Sequence, residues 1–138
     1  KGMDWVESVV KYEKPDIVIL DMGDKFADIR TERTDITLKA AAIHARNIAK
    51  QYDCAVVWMS QLSAEAEGRA DLNQAMMEGS KTGKAAEADL MLLIGKTQQA
   101  EGEEEDPIRY LNIAKNKLNG YQGKITCQLD GSRSLYSA

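Results

Sequence analysis

The chain has 138 residues, of which 43% are hydrophobic and 29% are charged, and its formal net charge is −4 at pH 7. These values fit one globular domain and exclude a disordered, collagen-like or coiled-coil chain. Five of the 22 acidic residues fall within Glu101–Asp106, a charge run that is typical of a solvated loop and unsuited to contact nucleic acid.

The extent and the location of the protein follow from two further observations. No window approaches about 18 continuous apolar residues, the length of a membrane span, and no signal-peptide pattern opens the chain. We therefore expect a cytoplasmic protein without a membrane partner. The chain begins at Lys1, and Met3 is a poor start for a domain, so we expect a piece of a longer protein.

The first predicted elements are a helix and a strand. Asp4 followed by Glu7 has the form of a capping box, and apolar residues then recur at helical spacing until Pro15. The apolar run Asp16–Leu20 is typical of a central strand of a parallel sheet, which is buried on both faces. This strand ends in the carboxylate of Asp21, so the stretch "IVILD" has the form of a Walker B strand.

The longest predicted helix follows a polar loop. One apolar stripe appears when its positions are turned by about 100° per residue; the stripe consists of Leu38, Ala41, Ala42, Ala45, Ile48, Ala49 and Tyr52. His44, the single histidine, lies off the stripe and is expected to be solvated. A second buried strand, Ala55–Gln61, comes next and ends in a Ser-Gln pair.

Three more strands are predicted in the rest of the chain. Asp89–Gly95 is a third buried run, and Pro107–Lys117 and Gly123–Asp130 form a hairpin, with Asn119-Gly120 as its turn signal. Cys54 and Cys127 lie in apolar, strand-like stretches without CxxC spacing, so both are predicted to be buried, reduced and structural.

The order of these elements predicts an α/β fold. Alternating helices and strands favour a mainly parallel sheet that ends in an antiparallel hairpin, in one domain over residues 1–138. In open sheets of this kind, ligands bind beyond the carboxyl ends of the strands. Asp21 and Gln61 both lie there.

The stretch "EGSKTGK", which ends at Lys84, has some features of a phosphate-binding loop. A P-loop requires G-x-x-x-x-G-K-[ST] after a buried strand and before a long helix. Here only three residues separate Gly79 from Gly83, Ala85 follows the lysine, and a polar segment precedes it. The P-loop interpretation is therefore rejected.

Four blocks in fixed order carry a resemblance to a known family: "PDIVILD", "VVWMSQLS", "GSKTGKAAEADLMLLIGK" and "NIAKNKLNGYQGKI". Together they resemble the C-terminal half of the RecA-like ATPase core of DnaB-type replicative DNA helicases, over nearly the whole chain. The resemblance implies a fragment of a P-loop NTPase core whose Walker A loop and catalytic glutamate lie upstream of Lys1. It also implies ATP and Mg²⁺ as cofactors, a hexameric ring, single-stranded DNA as substrate, and a primase or loader as partner.

The resemblance assigns roles to six residues besides Lys84. Asp21 would orient Mg²⁺, and Gln61 would sense the γ-phosphate. Lys115 and Lys117 would reach the nucleotide of the neighbouring subunit; on one strand they share a face, roughly 6.5–7 Å apart. Lys117 stands where the family usually has Arg, and Lys lacks the bidentate fork of Arg.

The same resemblance turns the segment from about Ala64 to Lys84 into a mobile loop that faces the central channel. Arg69, Lys81 and Lys84 are its candidate contacts to a single-stranded phosphate backbone. The family's usual basic residue after "SQLS" is Ala64 here.

Three alternatives remain open. A RecA- or KaiC-type recombinase or regulatory ATPase would share the fold, and a non-catalytic α/β binding module would suit the missing Walker A motif and the negative charge. A metal-dependent nuclease that uses Asp21, Asp24 and Asp28 is the third.

Overall fold

The protein's structure is a computed structural model, and it describes the chain in four stretches: residues 2–27, 34–78, 83–99 and 106–137. The chain forms two compact units, which are described separately. Unit 1 comprises Lys1–Gln61 and Met77–Ala88, and unit 2 comprises Leu62–Met76 and Asp89–Ala138. The expectation of a single domain stays a prediction.

Unit 1 has helices packed on a short parallel sheet. Its elements are the helix α1 (Met3–Glu13), the strand β1 (Ile17–Leu20), a 3₁₀ turn (Gly23–Phe26), the helix α2 (Thr34–Tyr52), the strand β2 (Ala55–Trp58) and the short helix α3 (Gly83–Glu87). β1 and β2 pair in parallel, from Ile17 opposite Ala55 to Leu20 opposite Trp58. The predicted α-β-α-β order of this part of the chain is confirmed.

The core of unit 1 lies between the two long helices and one face of the sheet. Val10 and Ile48 are almost completely buried there, together with Leu20 and Leu38. Five of the seven residues of the predicted stripe on α2 are buried, and the last two, Ala49 and Tyr52, are partly buried. The five are Leu38, Ala41, Ala42, Ala45 and Ile48. Burial of this stripe holds α2 against the sheet.

The other face of the β1–β2 sheet is exposed, so the expectation of strands buried on both faces is wrong. Ile17 is 60% exposed, Ile19 65% and Val57 45%. Continuous apolar runs predict two covered faces, but the helices of unit 1 pack on only one of them.

The expected capping box does not form. α1 begins at Met3 with Gly2 as its N-cap, and no side chain of the described residues caps it. Asp4 therefore lies inside the first turn, and Glu7 reaches across to α2 instead. Its carboxylate lies 2.7 Å from His44 Nε2 and accepts a hydrogen bond from the Tyr52 hydroxyl at 3.2 Å. His44 is thus part-buried between two helices rather than simply solvated.

We expect the Glu7 contacts to make unit 1 less stable in acid. The hydrogen bond from His44 is the main factor that lowers the pKa of the Glu7 carboxyl, against a smaller effect of burial. A pKa that is lowered on folding stabilises the protein above the unfolded value, about 4.3 for glutamate, and this stabilisation is lost as pH falls through the folded value.

Thermal unfolding from pH 7 to pH 3 checks this expectation. The Tm of wild type should fall more steeply than that of Glu7→Gln below about pH 4.3, while the exposed Glu13→Gln variant should follow wild type. Equal slopes for wild type and Glu7→Gln would contradict it.

Unit 2 is built on an antiparallel sheet. Its elements are 3₁₀ turns at Ala64–Ala66 and Gln74–Met76 and the strands β3 (Leu90–Gly95), β4 (Ile108–Asn116), β5 (Gly123–Asp130) and β6 (Leu135–Ser137). The strand order is β3-β4-β5-β6, and every neighbouring pair is antiparallel. The α/β class is confirmed. The sequence predicted antiparallel pairing only in a terminal hairpin, whereas four of the described strands pair in this way.

The predicted hairpin between β4 and β5 is confirmed. Gly120 has a φ of +78°, a conformation that glycine adopts without strain, and its N–H donates to the Asn116 carbonyl. Asn119 Oδ1 accepts from the N–H of Tyr121 at 3.0 Å. The side chain of Asn119 therefore helps to order the turn, in line with the turn signal in the sequence.

Segment 62–76 packs on the sheet of unit 2, which corrects the expectation of a mobile loop from about Ala64. Ala66, Leu72 and Met76 are buried. Asn112, itself buried, donates to the Ala70 carbonyl at 2.9 Å and accepts from the Leu72 N–H at 3.3 Å. A strand side chain thus supplies the partners that the backbone of the segment needs once it is out of water.

A close approach of two backbones reinforces this packing. A side chain at Gly95 would overlap the Arg69 carbonyl, so the end of β3 lies directly against the segment.

In the described parts of the chain, no helix combines the length and the apolarity that crossing a bilayer requires.

Candidate functional site

The carboxyl ends of β1 and β2 meet at one edge of the parallel sheet. Leu20 and Trp58, the last residues of the two strands, are opposite each other. Asp21 follows directly in an exposed turn. Gln61, also exposed, lies three residues beyond Trp58, so β2 is shorter than the predicted strand Ala55–Gln61.

The turn after β1 is shaped by close contact with Trp58. Met22 has a φ of +53°, and a Cβ at Gly23 would come within 2.5 Å of the indole ring. Only a glycine leaves room for the ring in this position. The indole Nε1 then donates to Asp24 Oδ1 at 3.0 Å, which fixes the carboxylate beside β2.

Lys84, the first residue after Gly83 in α3, closes onto this carboxylate. Its Nζ lies 2.9 Å and 2.8 Å from the two oxygens of Asp24 and 2.7 Å from Ser60 Oγ. Ser60 Oγ in turn donates to Asp24 Oδ2 at 2.6 Å. We call Asp24, Trp58, Ser60 and Lys84 the Lys84 cluster. The ammonium has three N–H donors and three acceptors around it, so its hydrogen-bonding capacity is used in full.

The burial of Lys84 corrects an expectation from the sequence. A residue that contacts a DNA backbone must present its cation to solvent, but the Lys84 side chain is only 4% exposed and its charge faces Asp24. The expectation of an exposed cation is therefore not met at Lys84.

The structure bears on one of the three carboxylates of the nuclease alternative, Asp24. Both oxygens of Asp24 face Lys84, and Asp28 lies outside the described residues. Among the residues that the structure describes, no three His, Cys, Asp or Glu side chains lie close enough to hold a metal ion together. The nuclease alternative needs clustered carboxylates, and Asp24 does not fit that need, because its two oxygens face Lys84.

A surface cavity of about 220 Å³ lies beside the Lys84 cluster, within unit 1. It is lined by Met22, Asp24, Thr34, Leu38, Ser60, Gln61 and Glu78. The Glu78 N–H donates to the Gln61 carbonyl at 3.4 Å, so the residues that follow β2 and those that precede α3 close around one opening. Gln61 is the predicted site residue that lines this cavity.

The contacts of Asp24 and Ser60 with Lys84 were not predicted from the sequence. Asp24 and Lys84 are 60 positions apart, and no spacing rule relates residues at that separation. The available signals were indirect: a glycine before Asp24, and a lysine that directly precedes the apolar Ala85 and Ala86.

The two predicted trans lysines lie in unit 2, and only one of them is on a strand. Lys115 belongs to β4, but Lys117 lies in the turn one residue past its end. Its N–H donates to the Asp89 carbonyl at 2.8 Å, and its Nζ is 3.4 Å from Asp89 Oδ1. The prediction that one strand carries both lysines is wrong because β4 ends at Asn116.

The remaining predicted DNA contacts are Arg69 and Lys81. Arg69 is exposed and lies in segment 62–76 of unit 2. Lys81 lies outside the described residues.

Both cysteines are free thiols. Cys127 is buried and its thiol donates to the Arg109 carbonyl, whereas Cys54 is only partly buried. Burial, with a smaller effect of Asp53, raises the pKa of the Cys54 thiol. A raised pKa favours the protonated thiol over the more reactive thiolate.

Comparison with known proteins places this geometry in a known fold. No protein-family model matches the chain, and no curated protein matches it significantly. Among solved structures, one described as an ATPase domain matches with a TM-score of 0.82 and 20% identity, over 99% of this chain and 51% of that chain. A DnaB-like replicative helicase, solved in a study of its interactions with primase, matches with a TM-score of 0.80 and 21% identity, over 99% of this chain and 35% of that chain.

The chain thus spans about half of the first of these proteins and about a third of the second. The similarity at this level of identity is one of fold. Over its length, the chain has the RecA-like α/β fold of the matching parts of these two structures.

Proposed function

We propose that the chain is part of an ATP-dependent hexameric DNA helicase that couples nucleotide hydrolysis at subunit interfaces to movement along single-stranded DNA. The proposal includes a cytoplasmic location in a bacterial or phage-infected cell and a primase or loader as partner. The match of 99% of the chain to helicase ATPase folds is the observation that carries it. The partial coverage of those proteins supports a longer polypeptide that completes the nucleotide site.

Asp21 is the residue proposed to hold Mg²⁺. It is an exposed carboxylate directly after a parallel strand, and Mg²⁺ in nucleotide sites takes one or two carboxylates together with water and phosphate oxygens. Asp24 does not fit this task, because Lys84 lies against both of its oxygens. When bound with ATP, Mg²⁺ neutralises charge on the phosphates.

Gln61 is proposed to sense the γ-phosphate. It lies at the same sheet edge as Asp21, it is exposed, and it lines the cavity of unit 1. A side-chain amide has both donor and acceptor groups, so it is able to bond phosphate or water in one state and a backbone group in another.

Four cationic residues are proposed to bind phosphates, three of them in unit 2. Lys115 and Lys117 would act on the nucleotide of a neighbouring subunit, and Arg69 and Lys81 would contact DNA. The ion pair of Lys117 with Asp89 joins side chains that are 44% and 56% exposed. Such exposed pairs contribute only about 0–1 kcal/mol, so Lys117 is able to exchange Asp89 for a phosphate.

Substitution of Asp21 tests the proposed function in a longer polypeptide that contains this chain. Asp21→Asn should lower the rate of ATP hydrolysis by about 100-fold, as expected when one fixed electrostatic group is lost from a site. Asp16→Asn is the matched control, because Asp16 is a carboxylate at the opposite end of β1. Normal hydrolysis by Asp21→Asn, or equal loss in both variants, would refute the proposal.

A further inference from the structure

The Lys84 cluster joins three segments that are far apart in the sequence. Asp24 lies in the 3₁₀ turn after β1, and Lys84 lies in α3. Trp58 is the last residue of β2, and Ser60 lies two residues beyond it. All of them belong to unit 1. The cluster therefore ties α3 to the edge of the sheet where Asp21 and Gln61 lie.

A buried ion pair is a costly way to make such a contact. Desolvation of the two charges offsets much of their attraction, and an apolar pair of similar volume often stabilises a fold as well or better. The best-attested benefit of buried ion pairs is that they specify one arrangement of the parts that they join. In the Lys84 cluster, the parts are α3 and the residues Ser60 and Gln61, which follow β2.

Two contacts, from Glu78 and from Lys84, are made to the residues that follow β2. The Lys84 ammonium bonds Ser60 Oγ at 2.7 Å, and the Glu78 N–H donates to the carbonyl of the next residue, Gln61, at 3.4 Å. The Glu78 contact is long and weak, whereas the Lys84 contact is short and charge-assisted. Lys84 is therefore the stronger of the two attachments.

We propose that Lys84 is a positioning residue for Gln61: through Asp24 and Ser60 it holds the backbone at Gln61, so that movement of α3 and of Gln61 is coupled. The part of this inference that concerns phosphate sensing rests on the proposed function. The positioning contact itself concerns only unit 1.

The first test measures the positioning contact in the 138-residue chain by ¹H–¹⁵N NMR. Lys84→Met should shift the resonances of the Gln61 side-chain amide and the Glu78 amide, besides the Trp58 indole N–H that contacts Asp24. Arg46→Met is the matched control. Arg46 is a second cation that anchors α3, through Glu87, but the contacts described for it do not include Ser60.

In Arg46→Met, the α3 resonances should shift and those of Gln61 should stay. If Lys84→Met leaves Gln61 and Glu78 in place, or if both variants shift them equally, the inference is overturned. Ser60→Ala, which removes one link of the same chain of contacts, repeats the test if Lys84→Met does not fold.

The second test measures ATP hydrolysis by the longer polypeptide with and without single-stranded DNA. Lys84→Met should lower the stimulation by DNA at least about fivefold, the lower end of ordinary coupling between two sites. Equal loss of both rates would show a merely structural role and overturn the inference, while the proposed function would stand. If wild type hydrolyses no ATP, the proposed function fails, whereas the NMR comparison still decides the positioning contact.

Discussion

Asp24→Asn should destabilise unit 1 by about 3 kcal/mol, because it leaves the buried ammonium of Lys84 without a countercharge. Lys84→Met should cost less, about 1–2 kcal/mol. The Asp24 side chain is 26% exposed and keeps its bonds from Trp58 and Ser60, whereas the Lys84 side chain is 4% exposed. The loss of the carboxylate therefore leaves the more deeply buried charge, that of Lys84, unpaired.

Urea unfolding followed by tryptophan fluorescence measures this difference. Both tryptophans, Trp5 and Trp58, belong to unit 1, so the signal reports on that unit. The double variant Asp24→Asn, Lys84→Met should be more stable than Asp24→Asn alone, since it also removes the unpaired ammonium of Lys84. If the two single substitutions cost the same and their effects add, the pair is not the coupled, buried contact that the structure describes.

Asn112→Ala should destabilise unit 2 by about 2–4 kcal/mol. It leaves the Leu72 N–H and the Ala70 carbonyl without their side-chain partner, and each unsatisfied buried polar group costs about 1–3 kcal/mol. The substitution should also free segment 62–76 from the sheet, because Asn112 is the strand residue that bonds its backbone.

Hydrogen exchange of the β4 and β5 amides measures the loss of stability, and limited proteolysis measures the release of segment 62–76. Asn73→Ala is the control. Asn73 is an exposed asparagine of the same segment, and its side chain accepts a hydrogen bond from Ala75 N–H, so its loss should cost about 0.5–1 kcal/mol. If Asn73→Ala and Asn112→Ala destabilise equally, the anchoring role of Asn112 is refuted.

Two predictions that depend on local patterns are confirmed. Helical periodicity identified the buried stripe of α2, from Leu38 to Ile48, because a stripe of apolar residues has to face the core wherever the helix packs. The turn signal at Asn119-Gly120 located the hairpin, since only certain residues adopt the backbone conformations of a tight turn.

Two of the wrong predictions depend on partners elsewhere in the chain. Glu7 pairs with His44 across the helix interface rather than capping α1. Apolar runs predicted burial of both faces of β1, yet Ile17 and Ile19 are exposed. A hydrophobic pattern states which residues favour burial, but only the packed neighbours decide whether burial occurs.

The stretch that ends at Lys84 illustrates the division most clearly. Its spacing alone excluded a phosphate loop, because backbone wrapping of a phosphate needs a fixed number of residues between the glycines. The same spacing said nothing of where the ammonium of Lys84 points. That is decided by Asp24 and Ser60, 60 and 24 positions away, which the fold brings together at the end of a parallel strand pair. Local sequence thus determined the longer helices and strands and the α/β class. The tertiary structure decided which charges are buried and paired, because the partners of a charge depend on chain segments that meet only after folding.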